Sequence, residues 1–263
     1  MAHPLDGPFA KLERAKLHLE SLENAADDWI AQKPFRIYIE VDLNNAWKAV
    51  RIEAEEPPTD LALMLGDCIQ NLRSALDHFA WQCGLLKGTP DRECQFPIFS
   101  DEDKFLQSGM GMLRSVKVAE AIGLIKSVQP YNKVPAVRSR TGLSLIKTLS
   151  NIDKHRLMPI VLLSLSFLGT YADTPLKAVN FGPYRGTDVL AIAAMDAADE
   201  HLQLDPGIGA VVTLLPSEEI PRLSQGIIKA LQGRCIPSVE KILHNSIDLG
   251  IFPPRSEAQA KSR

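Results

Sequence analysis

The chain has 263 residues, 45% of them hydrophobic and 23% charged, and a formal net charge of −3. This composition is typical of a globular protein, and the four cysteines, which lack CxxC spacing, exclude a disulfide-rich scaffold and argue against a thiolate zinc site. Because the sequence has no signal-peptide pattern and no apolar run long enough to cross a bilayer, it indicates a reduced, cytoplasmic protein with no membrane segment.

Two helices and a hairpin are predicted in the first third of the chain. Residues 8–31 carry apolar side chains close to a 3.5-residue repeat, which predicts a long helix that packs against another helix. Residues 35–55 alternate apolar and polar side chains around Asn44-Asn45, which predicts a β-hairpin. Residues 60–87 carry an apolar stripe at three-and-four spacing, so a second amphipathic helix follows.

The rest of the chain returns to helix, then changes to strands, then to helix again. Helices are predicted over 113–127 and 143–155 from their apolar spacing. From 158 to 216, apolar runs are separated by Gly, Pro and Asp, which predicts four or five antiparallel strands. Residues 221–249 are predicted to be helical, with an interruption or kink at Pro237.

These elements predict an α+β fold: a helical bundle with an N-terminal β-hairpin insertion and a small antiparallel sheet at about 158–216. Residues 1–250 are expected to form a single domain whose helical core is 60–156. Residues 251–263 contain few core-forming side chains and are expected to be a disordered tail.

The segment 114–156 is strongly basic. It contains nine lysines and arginines but only two acidic residues, Glu120 and Asp153, in a chain that is acidic overall. A basic sector of this kind can attract a polyanion such as RNA. The alternative is that these cations are solvated, or neutralised by acidic residues after folding.

Polar side chains accompany the apolar stripe of the 60–87 helix. One stripe is formed by residues spaced four, three and four apart, namely Asp67, Asn71, Ser74 and His78. Arg73 and Asp77 are also four apart and are expected to pair on an adjacent face. The alternative is an ordinary solvated helix surface, in which such pairs contribute little.

A second polar cluster ends the 143–155 helix, at Asn151, Asp153, Lys154, His155 and Arg156. If the two helices are neighbours, one pocket would gather two histidines, carboxylates and several cations. The alternative is that His155 and Arg156 only complement the dipole at a helix C-terminus.

The segment RSALDH, Arg73 to His78, resembles the R-x4-H motif of the HEPN superfamily, which are helical proteins that include metal-independent endoribonucleases. The usual polar Asn, Asp or His after the Arg is replaced by Ser74. The longer phrase NLRSALDHFAWQ, with FPIF, QPY and NIDKHR downstream, also resembles a group of uncharacterised bacterial proteins over about residues 10–160.

The HEPN resemblance implies a homodimer in which Arg and His motifs of two protomers meet and cleave RNA through the ribose 2′-hydroxyl, often in defence or toxin systems. His78 would then be the general acid or base, Arg73 would hold the scissile phosphate, and Asp77 or Asn71 would orient the imidazole. Asn71, Ser74, Asp153 and His155 would support the pocket, and Lys154 and Arg156 would bind phosphate. An ideal helix, however, places residues 73 and 78 roughly 140° apart, so one helix cannot direct both into one small site.

Two other functions remain open. In the first, the chain would be a non-enzymatic binding or scaffold protein of bacterial or phage origin, and the polar stripe would form a hydrogen-bond network. Alternatively, His78 and His155, with Asp67, Asp77 or Asp153, would bind a metal in the bundle. No cofactor motif is present, since P-loop, GxGxxG and GxSxG patterns are absent from the sequence. The sequence leaves open whether the protein is an enzyme.

Overall fold

The computed structural model describes residues 3–42, 47–170, 176–179, 183–184, 186–194, 204–223 and 225–255. Its helices are α1 (Asp6–Ala31), α2 (Thr59–Leu85), α3 (Glu102–Lys104), α4 (Met110–Met112), α5 (Ala119–Ser127), α6 (Pro135–Arg138), α7 (Gly142–Asp153), α8 (Gly226–Ala230) and α9 (Ile236–Asp248). Its strands are β1 (Phe35–Asp42), β2 (Trp47–Ala54), β3 (Ile160–Thr170), β4 (Leu176–Val179), β5 (Gly186–Ala194) and β6 (Leu204–Leu214). The predicted α+β class is confirmed.

The helical bundle is built on α2. Helix α1 lies along it, α7 packs against it, and α9 contacts α1, α2, α5 and α7. The apolar stripe of α2 is almost fully buried at Leu65, Ile69, Leu72, Leu76 and Phe79. Burial of each such side chain stabilises the fold by about 1.5–3 kcal/mol, so α2 is the central element of the core.

The hairpin strands belong to the same sheet as two of the later strands. β1 and β2 pair antiparallel, as predicted, and β2 then pairs with β5, which gives a four-stranded sheet of order β1-β2-β5-β4. β3 and β6 form a second antiparallel pair. The predicted hairpin turn at Asn44-Asn45 lies outside the described residues.

The C-terminal helical segment contains a π-helical turn, Leu231–Cys235, between α8 and α9. Pro237, the second residue of α9, lies two residues after this turn and has no N–H to donate to it. The Ser238 hydroxyl donates to the Arg234 carbonyl oxygen at 2.7 Å. The irregularity predicted at Pro237 therefore takes the form of a π turn that precedes the proline.

The expectation of a disordered tail from residue 251 is wrong for 251–255. Ile251 and Phe252 are buried in the same core as the bundle helices. Arg255 pairs with Asp6 at 3.3 Å and lies over the Phe9 ring at 4.3 Å. Residues 256–263 lie outside the described part of the chain. Among the described residues, every helix is too short or too polar to cross a bilayer.

Candidate functional site: an anionic-ligand surface on α7

The polar stripe predicted on α2 faces α1. The Lys11 ammonium donates to Asn71 Oδ1 at 3.5 Å, and His18 Nδ1 lies 3.9 Å from Asp67 Oδ2. His78 is exposed at the N-terminal end of α1, where its Nδ1 would be 3.6 Å from a Cβ built on Gly7. Ser74, four residues before His78, is partly exposed on the same side of α2.

Arg73 and Asp77 point to a different neighbour, the loop at Phe96. Arg73 donates to both carboxylate oxygens of Asp77, Nε to Oδ2 at 3.0 Å and Nη2 to Oδ1 at 2.7 Å. Arg73 Nη2 also donates to the Phe96 carbonyl at 2.9 Å, and the Phe96 N–H donates to Asp77 Oδ1 at 2.9 Å. The pair predicted from the four-residue spacing is therefore present, and it clamps both backbone groups of Phe96.

This clamp gives Arg73 and Asp77 a structural role in the single chain. Phe96 is fully buried, and its ring centroid is 6.3 Å from that of Phe79 on α2. Since the clamp satisfies the Phe96 backbone where it enters the core, it fixes the 95–99 loop against the bundle. Within one chain, the structure does not bring Arg73 and His78 together.

Asp153 also contacts α2. Its Oδ2 accepts a hydrogen bond from Gln70 Nε2 at 3.0 Å, and the same amide donates to the Ser150 carbonyl at 3.2 Å. A Cβ built on Gly66 would overlap the Asp153 carboxylate, so Gly66 allows the close approach of α7 to α2. Asp153 therefore joins two helices, whereas the sequence predicted it in a polar pocket.

The exposed face of α7 and its last turn carries the remaining predicted residues together with Lys147, which was not a predicted site residue. Lys147, Asn151, Lys154 and His155 are spaced four, three and one apart, so they lie on one side of the helix and its last turn. All four residues are exposed overall, but the Lys147 ammonium is partly buried where it meets the Ile98 carbonyl. Two cavities open along this face, and Asn151 lines both of them. We call this face, together with Arg156, the α7 surface.

The larger cavity has a volume of about 430 Å³ and is lined by Thr148, Asn151, Ile152, His155, Arg156 and Glu219. Arg156 Nη2 lies 3.2 Å from Glu219 Oε2, and both side chains are more than half exposed, so this ion pair contributes little. Within the described chain, the His155 side chain makes no hydrogen bond. An imidazole and a guanidinium are thus available in one nucleotide-sized cavity.

The smaller cavity, of about 160 Å³, lies between α7 and the loop that the clamp fixes. Arg73, Lys147 and Lys154 line it with the polar side chains of Gln95 and Asn151, and apolar walls are formed by Phe96, Ile98, Phe99 and Met112. The Lys147 ammonium donates to the Ile98 carbonyl at 2.8 Å and lies 4.8 Å from the Phe99 ring centroid.

The electrostatics of this smaller cavity are positive. Burial of its ammonium, followed by the charges of Arg73 and Lys104, lowers the pKa of Lys147. No carboxylate is found among the described residues that line the cavity. Positive charges held this close repel one another, and a bound anion would offset that repulsion.

Sequence reasoning assigned Lys154 and Arg156 to phosphate binding but gave Lys147 no role beyond its place in the basic segment. The sequence does contain a signal for Lys147, which is its spacing: Lys147 precedes Asn151 by one helical turn and Lys154 by two, so all three share one face. Gln95 and Phe99, which also line the smaller cavity, lie in a loop with no periodic signal. His78 is absent from the described linings of both cavities, so the predicted pocket shared by His78 and His155 is not formed in one chain.

Metal ligation and thiol chemistry have little support. The described residues contain no group of three or more His, Cys, Asp or Glu side chains placed to bind a metal, so the alternative through His78 and His155 has no ligand cluster there. All four cysteines are buried and free, and burial raises the pKa of Cys68 to about 12. A thiol held protonated in this way is a poor nucleophile.

Comparisons with known proteins give no relative: the chain matches no family model, no curated protein and no solved structure. The function of this protein is therefore argued from its own geometry.

Proposed function

We propose that the protein binds RNA through the α7 surface. The observation that carries the proposal is the placement of Lys147, Lys154 and Arg156 around two adjacent cavities, with Glu219 as the one carboxylate in the described linings. Lysine and arginine side chains neutralise phosphates and release counterions, which supplies most sequence-independent affinity. The HEPN resemblance of Arg73–His78 favours RNA as the polyanion.

The larger cavity would accommodate one nucleotide. Arg156 stacks on a base or holds a phosphate, and the His155 ring hydrogen-bonds or stacks beside it. Lys154, which lines the smaller cavity, contacts the backbone. Exposed, flexible lysines suit such contacts because they need not fix a geometry.

Fluorescence anisotropy with a single-stranded, 5′-hydroxyl RNA of mixed sequence tests this proposal. In EDTA, the wild type should bind with an affinity that falls as salt rises, and Arg156→Ala should lower affinity and make the log–log salt slope shallower by about 0.7, the value for one phosphate contact. Lys241→Ala, a loss of charge on α9 outside both cavities, is the matched control. Equal effects of the two variants, or no binding, would reject the α7 surface. DNA of the same sequence reports on the 2′-hydroxyl.

A second function, metal-independent endoribonuclease activity, has one specific observation in its favour. His155, an exposed imidazole, lies in the same cavity as Arg156, so a general acid or base would be near a phosphate ligand. Incubation of RNA in EDTA with wild type, His155→Ala, His78→Ala and Arg73→Ala proteins separates the candidates. Loss of cleavage only in His155→Ala assigns the reaction to α7; loss in His78→Ala and Arg73→Ala assigns it to the HEPN-like motif. Absence of cleavage by the wild type leaves a binding protein.

We also propose a cytoplasmic homodimer whose contact lies on α2 beside His78. Trp81 and Leu85 follow His78 by three and seven residues and are 38% and 45% exposed. Large apolar side chains exposed together favour a protein interface. Sedimentation should show a dimer for the wild type and a monomer for Leu85→Asp, whereas Leu249→Asp, at another exposed leucine, should remain dimeric. A monomeric wild type would contradict this arrangement.

A further inference from the structure

We infer that the smaller cavity on the α7 surface is a recognition site for a phosphomonoester dianion, such as the terminal phosphate of an RNA strand. This inference rests on the proposed RNA binding only for the source of the phosphate. The case for a phosphate site depends on the size, charge and hydrogen-bond donors of the cavity. The inference extends RNA binding from backbone contact to recognition of a chain end.

The size of the cavity selects a small group. At about 160 Å³ it is comparable with a cavity that accepts one benzene molecule, so it holds a group of about six heavy atoms. A phosphate group fits this limit, whereas a whole nucleotide needs a larger cleft. The neighbouring cavity of about 430 Å³ has that larger size.

The charge of the walls matches a dianion. Arg73 is neutralised in part by Asp77, which lies outside the described lining, whereas Lys147 and Lys154 make no ion pair with a described residue. Two uncompensated ammonium groups therefore face the two charges of a phosphomonoester. An internal phosphodiester carries only one negative charge and would leave one of the two ammonium groups unbalanced.

Arg73 and Lys147 are held in place before a ligand arrives. Arg73 Nη1 makes no hydrogen bond to any described residue, while Nε and Nη2 are fixed by Asp77 and Phe96. Lys147 gives one N–H to the Ile98 carbonyl and keeps two for a ligand. Asn151 and Gln95 add amide donors that have no partner in the described chain. Fixed donors reduce the ordering cost of binding.

The position of the cavity suits a strand end. Phe96 and Ile98 line one side of it and are buried in the core, so a strand that enters the cavity meets the protein interior on that side. Asn151 separates it from the nucleotide-sized cavity. A terminal phosphate would therefore enter the smaller cavity while the adjoining nucleotide reaches the larger one.

Anisotropy with three RNAs of one sequence, ending in 5′-phosphate, in 3′-phosphate or in hydroxyls only, tests the inference. One phosphorylated form should bind the wild type about tenfold tighter than the hydroxyl form, as expected for hydrogen bonds to a charged group. Lys147→Met should abolish this preference, Lys147→Arg should retain it, and Lys241→Met is the matched control. Arg156→Ala should weaken all three RNAs and keep the preference.

Calorimetry with inorganic phosphate separates failure of this site from failure of RNA binding. Phosphate that binds the wild type and not Lys147→Met supports the site, and if the RNAs show no preference it identifies a small phosphomonoester as the ligand. RNA binding with no preference and no heat from phosphate would overturn the site and leave the α7 surface intact. A preference that survives in Lys147→Met would also overturn it.

Discussion

At the scale of single residues, Asp77 shows how a side chain that resembles a catalytic group can be structural. Its carboxylate accepts from Arg73 and from the Phe96 N–H, and it is 31% exposed. The sequence predicted the Arg73–Asp77 pair from spacing alone, but its partner, the Phe96 backbone, lies in a loop that spacing does not place.

We expect Asp77→Ala to lower the free energy of unfolding by about 1–3 kcal/mol, because it leaves the Phe96 N–H and the Arg73 guanidinium without their partner. Chemical denaturation measures this change. Asp67→Ala, on the same helix and 65% exposed at its carboxylate, is the control and should change stability by less than about 0.5 kcal/mol. An Asp77→Ala protein of unchanged stability would show that the clamp is not structural.

Asp91 gives a pH-dependent prediction. Its Oδ2 accepts from the Ser115 hydroxyl at 2.6 Å and from Arg114 Nε at 2.7 Å. The Ser115 hydrogen bond first, and then the Arg114 bond, lower the pKa of Asp91 from 3.8 to about 2. Because the folded-state pKa is depressed, Asp91 stabilises the fold at pH values above about 3.8 and loses this contribution as pH falls toward 2.

The measurement is an NMR titration of the Asp91 carboxyl carbon. In Ser115→Ala the pKa of Asp91 should rise toward the ordinary aspartate value, and the stability lost on acidification through this group should become smaller. Arg114→Ala should change the pKa of Asp91 in the same direction. A titration midpoint that is unchanged in Ser115→Ala would contradict the assigned cause.

At the scale of elements, periodicity predicted the long helices well and their junctions poorly. α1, α2 and α7 lie within about two residues of their predicted bounds, because each has a continuous apolar stripe facing one core. Residues 113–118 were predicted as helix but precede α5. Ser115 there binds Asp91 with its hydroxyl, and Leu113 and Val116 are buried without helical geometry.

In the candidate site, too, the residues on or next to a helix were predictable and the residues in a loop were not. Lys154, His155 and Arg156 could be predicted because they lie in the turn that directly follows α7 and is hydrogen-bonded to its last turn. The second wall of the smaller cavity comes from the 95–99 loop, whose position depends on contacts with residues far along the chain. The separation of Arg73 from His78 was predictable from helical geometry, whereas the neighbours that each side chain meets were not.

The contact between α7 and the π turn depends on Gly142. A Cβ built there would overlap the Arg234 carbonyl and the Ser238 hydroxyl, and the former is backbone that cannot rotate away. We expect Gly142→Ala to destabilise the protein by about 1–3 kcal/mol through this overlap. Gly123→Ala is the matched control, since a Cβ at Gly123 in α5 meets nothing within 4 Å.

Thermal denaturation should show opposite signs for the two glycine variants. Gly123→Ala should raise stability by about 0.5–1 kcal/mol, because alanine loses less backbone entropy than glycine in a helix interior. A Gly142→Ala protein as stable as Gly123→Ala would mean that α7 and the π turn are farther apart than the structure places them.

At the scale of the whole molecule, the two ends of the described chain are fastened to each other. The Leu5 N–H donates to His3 Nδ1 at 3.1 Å, so His3 Nε2 donates to the Pro253 carbonyl at 2.8 Å. Phe252 is 2% exposed, and its ring centroid lies 6.2 Å from that of Phe79 on α2. The segment that composition predicted as tail thus closes one end of the bundle.

We expect Phe252→Ala to cost about 3–5 kcal/mol of unfolding free energy, the usual loss for a buried phenylalanine. Truncation after residue 250 should lower the melting temperature by many degrees relative to truncation after residue 255, because it also removes the buried side chains of Ile251 and Phe252. Equal melting temperatures of the two truncated proteins would contradict the packing of 251–255.

The central claim, that the α7 surface binds RNA, is tested most directly by NMR. Backbone amide shifts of the labelled protein are followed while single-stranded RNA is added in EDTA. We expect the largest shifts to cluster on α7 and its end, at Lys147, Asn151, Lys154, His155 and Arg156. Shifts centred on another face of the molecule, or none at saturating RNA, would contradict it.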